Sequence, residues 1–155
     1  NFDRSKFIYV NKHAYDFLHK SNLKPGDIIM SNVGSCGALF SCPDLGQPMT
    51  LAPNSIVIKA PNNRFYYHWF STEMVQKEIA TIKSKSAMPK FNKTDFKKIK
   101  VPIPPLSEQQ RIVSILDKFE TLVNDLSQGL PAEIAAVQEQ YEYYRNKLLT
   151  FKRIA

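Results

Sequence analysis

The chain has 155 residues, 43% of them hydrophobic and 23% charged. That globular composition excludes disorder throughout and leaves room for one ordinary domain plus an appendage. No apolar run reaches the ~18–20 residues needed to cross a bilayer, and no apolar signal region follows Asn1-Phe2-Asp3-Arg4, so a cytoplasmic location with no membrane partner is expected. The net charge of +7 is unevenly spread. Residues 1–105 carry 15 Lys/Arg against 7 Asp/Glu, whereas residues 106–155 carry 6 against 7. A polyanion-facing first part and a neutral, partner-facing tail fit this asymmetry, although a solvated basic surface gives the same count. Cys36 and Cys42 are too few for a disulfide framework, and His13, His19 and His68 have no zinc spacing with them, so no metal is expected.

In chain order, Phe7-Ile8-Tyr9-Val10 reads as a short strand and residues 13–20 as a helical turn. Lys24-Pro25-Gly26-Asp27 is a turn signal, after which Ile28-Ile29-Met30 reads as a buried strand. Gly34-Ser35-Cys36-Gly37 makes a second turn into the strand Ala38-Leu39-Phe40. Pro43, Gly46, Pro48 and Pro53 predict a loop, and Ser55–Ala60, β-branched and apolar, another strand. Tyr66, Trp69, Phe70, Met74, Ile79 and Ile82 recur at helical spacing and predict one amphipathic helix over 64–82. A basic loop over 83–90 follows. Val101-Pro102-Ile103-Pro104-Pro105-Leu106 is extended, because each proline turns its predecessor away from helix, and it closes the first part.

Ser107 and Gln110 fit a capping box that opens a helix. Ile112, Ile115, Leu116, Phe119, Leu122, Val123 and Leu126 form its apolar stripe. Gly129-Leu130-Pro131 predicts a break near 129–131, with a second helix from Pro131. In that helix Ile134, Val137, Tyr141, Tyr144, Leu148 and Phe151 keep the 3-4 rhythm of a coiled-coil seam. They are the candidate contacts for self-association; packing of the stripe within the chain is the alternative. The fold class expected is α+β: a small mixed-sheet recognition domain over 1–105, then a helical spacer or dimerisation region over 106–155.

No phosphate-binding loop, Gly-x-Ser-x-Gly elbow or Asn-Pro-Pro-Tyr motif occurs, so neither a catalytic centre nor a cofactor is expected. The basic loop is the strongest functional candidate. Seven lysines fall within residues 83–100, with Asp95 the only acid. Lys83, Lys85, Lys90 and Lys93 suit phosphates, while Ser84, Ser86 and Asn92 offer hydrogen bonds to phosphates or base edges. Ser31, Asn32 and Ser35 around the Gly34–Gly37 turn are a second candidate contact loop, against the plainer reading of a hairpin turn.

Three stretches resemble a known family. Val101-Pro102-Ile103-Pro104-Pro105-Leu106-Ser107-Glu108-Gln109-Gln110-Arg111-Ile112-Val113 is similar to the junction in specificity (S) subunits of type I restriction-modification systems. Lys24-Pro25-Gly26-Asp27-Ile28-Ile29 with its following glycine turn resembles a strand pair of their target recognition domains. Gly129-Leu130-Pro131-Ala132-Glu133-Ile134 and Tyr141–Leu149 resemble their conserved helix. The resemblance implies a non-catalytic prokaryotic subunit that reads one half of a bipartite target in double-stranded DNA. It also implies docking of methyltransferase (M) and restriction (R) subunits, pairing of half-length subunits through the helices, and first strands preceding Asn1. A specificity segment of a fused restriction-methylation enzyme and a helical scaffold that binds no DNA remain as alternatives.

Overall fold

The structure is a computed structural model that describes residues 5, 7–126 and 131–151. A short helix α1 (Lys12–Phe17) is capped by Asn11, whose side chain accepts from the Ala14 amide. A 3-10 turn (His19–Ser21) leads into strand β1 (Asn22–Leu23). The Lys24–Asp27 turn is closed by the buried Asp27 carboxylate, which accepts from the Lys24 amide at 2.9 Å. Its Gly26 takes φ +82°, a conformation glycine adopts without strain.

Strands β2 (Ile28–Ser31), β3 (Leu39–Ser41) and β5 (Ser55–Ile58) form a three-stranded sheet in the order β3-β2-β5. Strand β2 pairs antiparallel with both neighbours, with Met30 opposite Leu39 on one side and Ile56 on the other. The period-2 alternation sends Ile28, Met30 and Ile56 into the core. The second sheet pairs β1 with β4 (Met49–Thr50), again antiparallel. The α+β class therefore stands, but both sheets are antiparallel instead of mixed.

Three elements differ from the sequence expectation. Residues 7–10 form no strand and have no strand partner among the described residues, and Ile8 and Tyr9 face solvent; a strand is defined by its pairing, which composition alone does not supply. The proline-rich loop contains β4, held by the Leu51 amide on the Ser21 carbonyl at 2.9 Å. The helix expected over 64–82 is two helices, α2 (Asn63–Phe70) and α3 (Glu73–Ile82). Between them the Ser71 and Thr72 hydroxyls donate back to the Tyr67 and Trp69 carbonyls, each at 2.8 Å, and Thr72 turns extended at ψ 148°. Short hydroxyl side chains compete with the helix ladder in this way. The apolar spacing runs on across the break and does not report it.

Helix α4 (Lys93–Phe96) follows the basic loop. Helix α5 (Leu106–Leu126) opens two residues earlier than a cap at Ser107 would place it. The Pro105 carbonyl accepts from the Glu108 and Gln109 amides, so Pro105 is the cap and Ser107 sits inside the first turn. The Ser107–Gln110 capping box is therefore not formed; Gln109 reaches back instead, to the Pro104 carbonyl at 2.9 Å. Helix α6 (Pro131–Leu148) starts on the expected proline, while Gly129 and Leu130 of the predicted break lie outside the described residues.

Helices α5 and α6 pack on each other, and α5 packs on α2. Ile112 and Leu116 of α5, and Leu149 just past α6, are at most 1% exposed and join Phe65, Trp69 and Val75 in one continuous core. A buried side chain of this size stabilises by roughly 1.5–3 kcal/mol, so the helices are seated on the sheet domain by hydrophobic burial.

Candidate nucleic-acid interface

The two candidate loops, joined by contacts between residues 53 to 59 positions apart in sequence, lie side by side. Val33 and Lys90 form an antiparallel bridge. The Gly34 amide donates to the Pro89 carbonyl at 2.8 Å, and the Phe91 amide donates to the Asn32 carbonyl at 3.1 Å. Side chains add to the seam: Asn32 Nδ2 donates to the Phe91 carbonyl and Cys36 Sγ to the Pro89 carbonyl. The buried Phe91 anchors the seam, stacking on Phe96, which stacks in turn on Phe70. Loop 31–37 thus lies alongside loop 83–91 and braces it.

The 83–90 loop is closed on itself. The Ser84 amide donates to the Lys90 carbonyl at 2.8 Å, and the Lys90 amide donates to Ser84 Oγ at 3.1 Å. Ser86 Oγ donates to the Met88 carbonyl at 2.8 Å, which leaves the Ser84 hydroxyl to donate to Ser86 Oγ at 3.0 Å. Lys83, Lys85, Lys90 and Lys93 are all exposed, and none has an ion-pair partner among the described residues. Lys98, by contrast, is paired with Asp95 at 2.6 Å. The outcome is a loop closed by its own hydrogen bonds that carries Lys83, Lys85 and Lys90 unpaired, with Lys93 following at the start of α4.

The polar residues expected to read bases divide into two groups. Asn92 caps α4, accepting from the Asp95 amide at 2.7 Å and donating to its carboxylate at 2.8 Å. Ser31 Oγ donates to the Val33 carbonyl. Ser84, Ser86, Asn92, Ser31 and the Asn32 amide are thereby engaged in shaping the loops. Ser35 is exposed at the turn, with no side-chain bond among the described residues.

A second constellation, not singled out from the sequence, joins the helices to the sheet domain. His68, fully buried on α2, donates from Nε2 to Asp117 Oδ1 of α5 at 3.0 Å, and its Nδ1 faces the Tyr141 hydroxyl of α6 at 3.3 Å. Arg64, one turn earlier on α2, donates from Nε to the same Asp117 oxygen at 2.7 Å and from its terminal nitrogen to Glu120. Burial holds the His68 imidazole below its ordinary pKa, and the Arg64 charge adds to this against the pull of the Asp117 bond. Burial also pushes the Tyr141 phenol up, with Glu120 contributing. Burial draws Arg64 down, but its two carboxylate partners outweigh that and raise it. His68, Asp117 and Glu120 offer ligand atoms within 4.8 Å of one another, yet the Arg64 guanidinium already serves both carboxylates as their cation. The signal available in the sequence was the match of Arg64/His68 at i, i+4 with Asp117/Glu120 at i, i+3.

The coiled-coil seam is largely spent within the chain. Tyr141, Leu148 and Phe151 pack against the core, and Tyr144 stacks on Phe119 at 5.4 Å. Ile134 and Val137 are half-buried on α6.

Residues 3–136 match the type I restriction modification DNA specificity domain. A protein described as a type I restriction enzyme specificity subunit in Haemophilus influenzae is 36% identical over 152 residues, covering 92% of this chain and 35% of that protein. The EcoR124I/EcoR124II specificity subunit of Escherichia coli is 39% identical over 90 residues, 58% of this chain and 22% of that one. The chain therefore spans about a third or less of the length of these relatives. The crystal structure of a type I restriction-modification S subunit from M. genitalium superposes with a TM-score of 0.54 at 17% identity, over 71% of this chain and 30% of that one, a likeness of fold.

Proposed function

We propose the following function for this chain, which belongs to the type I restriction modification DNA specificity family: it binds double-stranded DNA and reads half of a bipartite target, with residues 1–105 as the recognition domain and residues 106–155 as the spacer. The observation that supports this reading is the seam between loops 31–37 and 83–91, beside which Lys83, Lys85, Lys90 and Lys93 are exposed and unpaired among the described residues. Unpaired lysines on a preorganised loop release condensed counterions when they meet phosphates, which is where most protein–DNA affinity originates. The chain itself performs no chemistry in this reading. Methyltransferase and restriction subunits dock on the frame and act on the DNA, and the complex works in the cytoplasm of a prokaryote. Tyr141, Leu148 and Phe151 are occupied within the chain and Tyr144 stacks on Phe119, so self-association falls to Ile134 and Val137 of the seam.

The test is salt-dependent DNA binding by the natural full-length subunit in complex with its methyltransferase partner, measured by fluorescence anisotropy. Replacing Lys83, Lys85, Lys90 and Lys93 by Ala is expected to lower the slope of log affinity against log salt by up to about 3.6, at roughly 0.9 per phosphate contact. An unchanged slope and affinity would show that this surface does not meet DNA.

A further inference from the structure

We infer that Met88 is the base-reading side chain of the 83–90 loop, and that it reads the methyl group of a thymine in the major groove. This rests on the DNA-binding reading above.

The inference starts from what the loop leaves free. Ser84 and Ser86 spend their hydroxyls inside the loop, and Asn92 spends its amide on the α4 cap. Their hydrogen bonds hold the loop's shape and do not project toward a ligand. The side chains that project are lysines, Ala87 and Met88. Met88 is 67% exposed, an unbranched apolar side chain between Ala87 and Pro89 in a loop that also carries Lys85 and Lys90. Its own carbonyl is pinned by Ser86, and Pro89 beside it is pinned by the Gly34 amide and Cys36 Sγ. The backbone under Met88 is therefore fixed, while its side chain keeps three rotatable bonds and a polarisable sulfur, suited to an adaptable apolar contact.

Lys85 and Lys90, before and after Met88 in the same loop, commit its occupant to a polyanion, since they would meet phosphates near whatever Met88 touches. Along a DNA groove, the base-edge group that an apolar side chain recognises is the thymine C5-methyl, displayed in the major groove. The Ser84–Lys90 bonds tie the two ends of this exposed loop together, and the major groove, about 12 Å wide, is the groove that displays that methyl group. Burying one methyl group against Met88 corresponds to about fourfold in affinity.

The experiment uses the full-length subunit with its methyltransferase partner and a duplex carrying the target mapped from the methylated bases of its own genome. Each thymine is replaced in turn by uracil, which removes only the methyl group. One position is expected to lose about fourfold in affinity, and the same substitution is expected to be silent in Met88→Ala, with the salt slope unchanged in that variant. A target lacking thymine, or no uracil effect that depends on Met88, would overturn the inference. So would 2-aminopurine fluorescence that rises beside one base step with the natural protein and not with Met88→Ala, because it would make Met88 a wedge between bases. The lysine variants separate this from the broader reading: if they lose the salt slope while Met88→Ala and uracil do nothing, DNA binding stands and only the methyl contact falls.

Discussion

Replacing Asp117 by Ala tests whether the α2–α5–α6 joint is a hydrogen-bonded lock. One carboxylate oxygen serves two donors there, His68 Nε2 at 3.0 Å and Arg64 Nε at 2.7 Å. Removing it strands the His68 N–H, which is fully buried, and a buried donor without an acceptor costs about 1–3 kcal/mol. The Arg64 pair adds less. Both side chains are more than a third exposed, at 37% and 41%, and such pairs contribute about 0–1 kcal/mol. The expected loss is therefore about 1–4 kcal/mol, or roughly 2–16 °C in Tm for a chain of this size. Glu120→Ala is the control, because Glu120 touches Arg64 but not His68 among the described contacts; it is expected to cost under about 1 kcal/mol. Urea unfolding followed by far-UV circular dichroism at neutral pH gives both numbers. If Asp117→Ala costs no more than Glu120→Ala, the His68 bond contributes nothing and the lock is not built as described.

The same joint should respond to pH. His68 is held below its ordinary pKa by burial, with Arg64 on its own helix, Asp117 and Glu120 on α5, and Tyr141 and Arg145 on α6 as the charged or titratable neighbours. A depressed base contributes stability above its unfolded pKa, about 6.5, and that stability is lost as pH falls toward the folded value, because the unfolded chain takes up the proton first. Unfolding free energies at about pH 7.5 and about pH 5.5 should show this loss in the natural chain and a smaller one in His68→Gln; equal losses would refute the assignment. At the turn beside the basic loop, Gly37→Ala should cost about 2–3 kcal/mol and Gly34→Ala about 1 kcal/mol, from positive φ plus lost bonds. Both take positive φ, +92° and +72°, but a Cβ on Gly37 would lie 2.7 Å from Gln76 Oε1, whose amide nitrogen holds the Gly37 and Phe70 carbonyls. Thermal unfolding that ranks the two equally would show that Gln76 yields freely.

Much of the architecture was legible in the residues because it rests on short-range chemistry. The Lys24–Asp27 turn, the strand at Ile28, the strand at Ser55 and the helix starting on Pro131 each follow from turn residues, β-branching or proline stereochemistry within a few positions. The lysine loop was legible as a charge cluster for the same reason. What failed locally were choices between near-equal alternatives. Ser71 and Thr72 broke a helix whose apolar period continued, and Pro105 took the cap from Ser107, because hydroxyl and carbonyl groups found better partners than the pattern specified.

The seam residues illustrate the other kind of limit. The 3-4 spacing of Tyr141, Tyr144 and Leu148 establishes an apolar face, but a face does not name what covers it. Here α5 and the sheet domain cover much of it, and Leu149, off the strict repeat, is the most buried apolar residue at that end of α6. Taken alone, the sequence determined the class of fold, the basic stretch and the family. Only the tertiary structure decided that loops far apart in sequence lie side by side, that Ser31, Ser84, Ser86 and Asn92 are engaged in shaping them while Ser35 is left exposed, and that Arg64 and His68 meet Asp117, Glu120 and Tyr141. The physical reason is that propensity and periodicity act over a turn or two of chain, whereas burial and hydrogen-bond satisfaction are settled among groups brought together from distant positions.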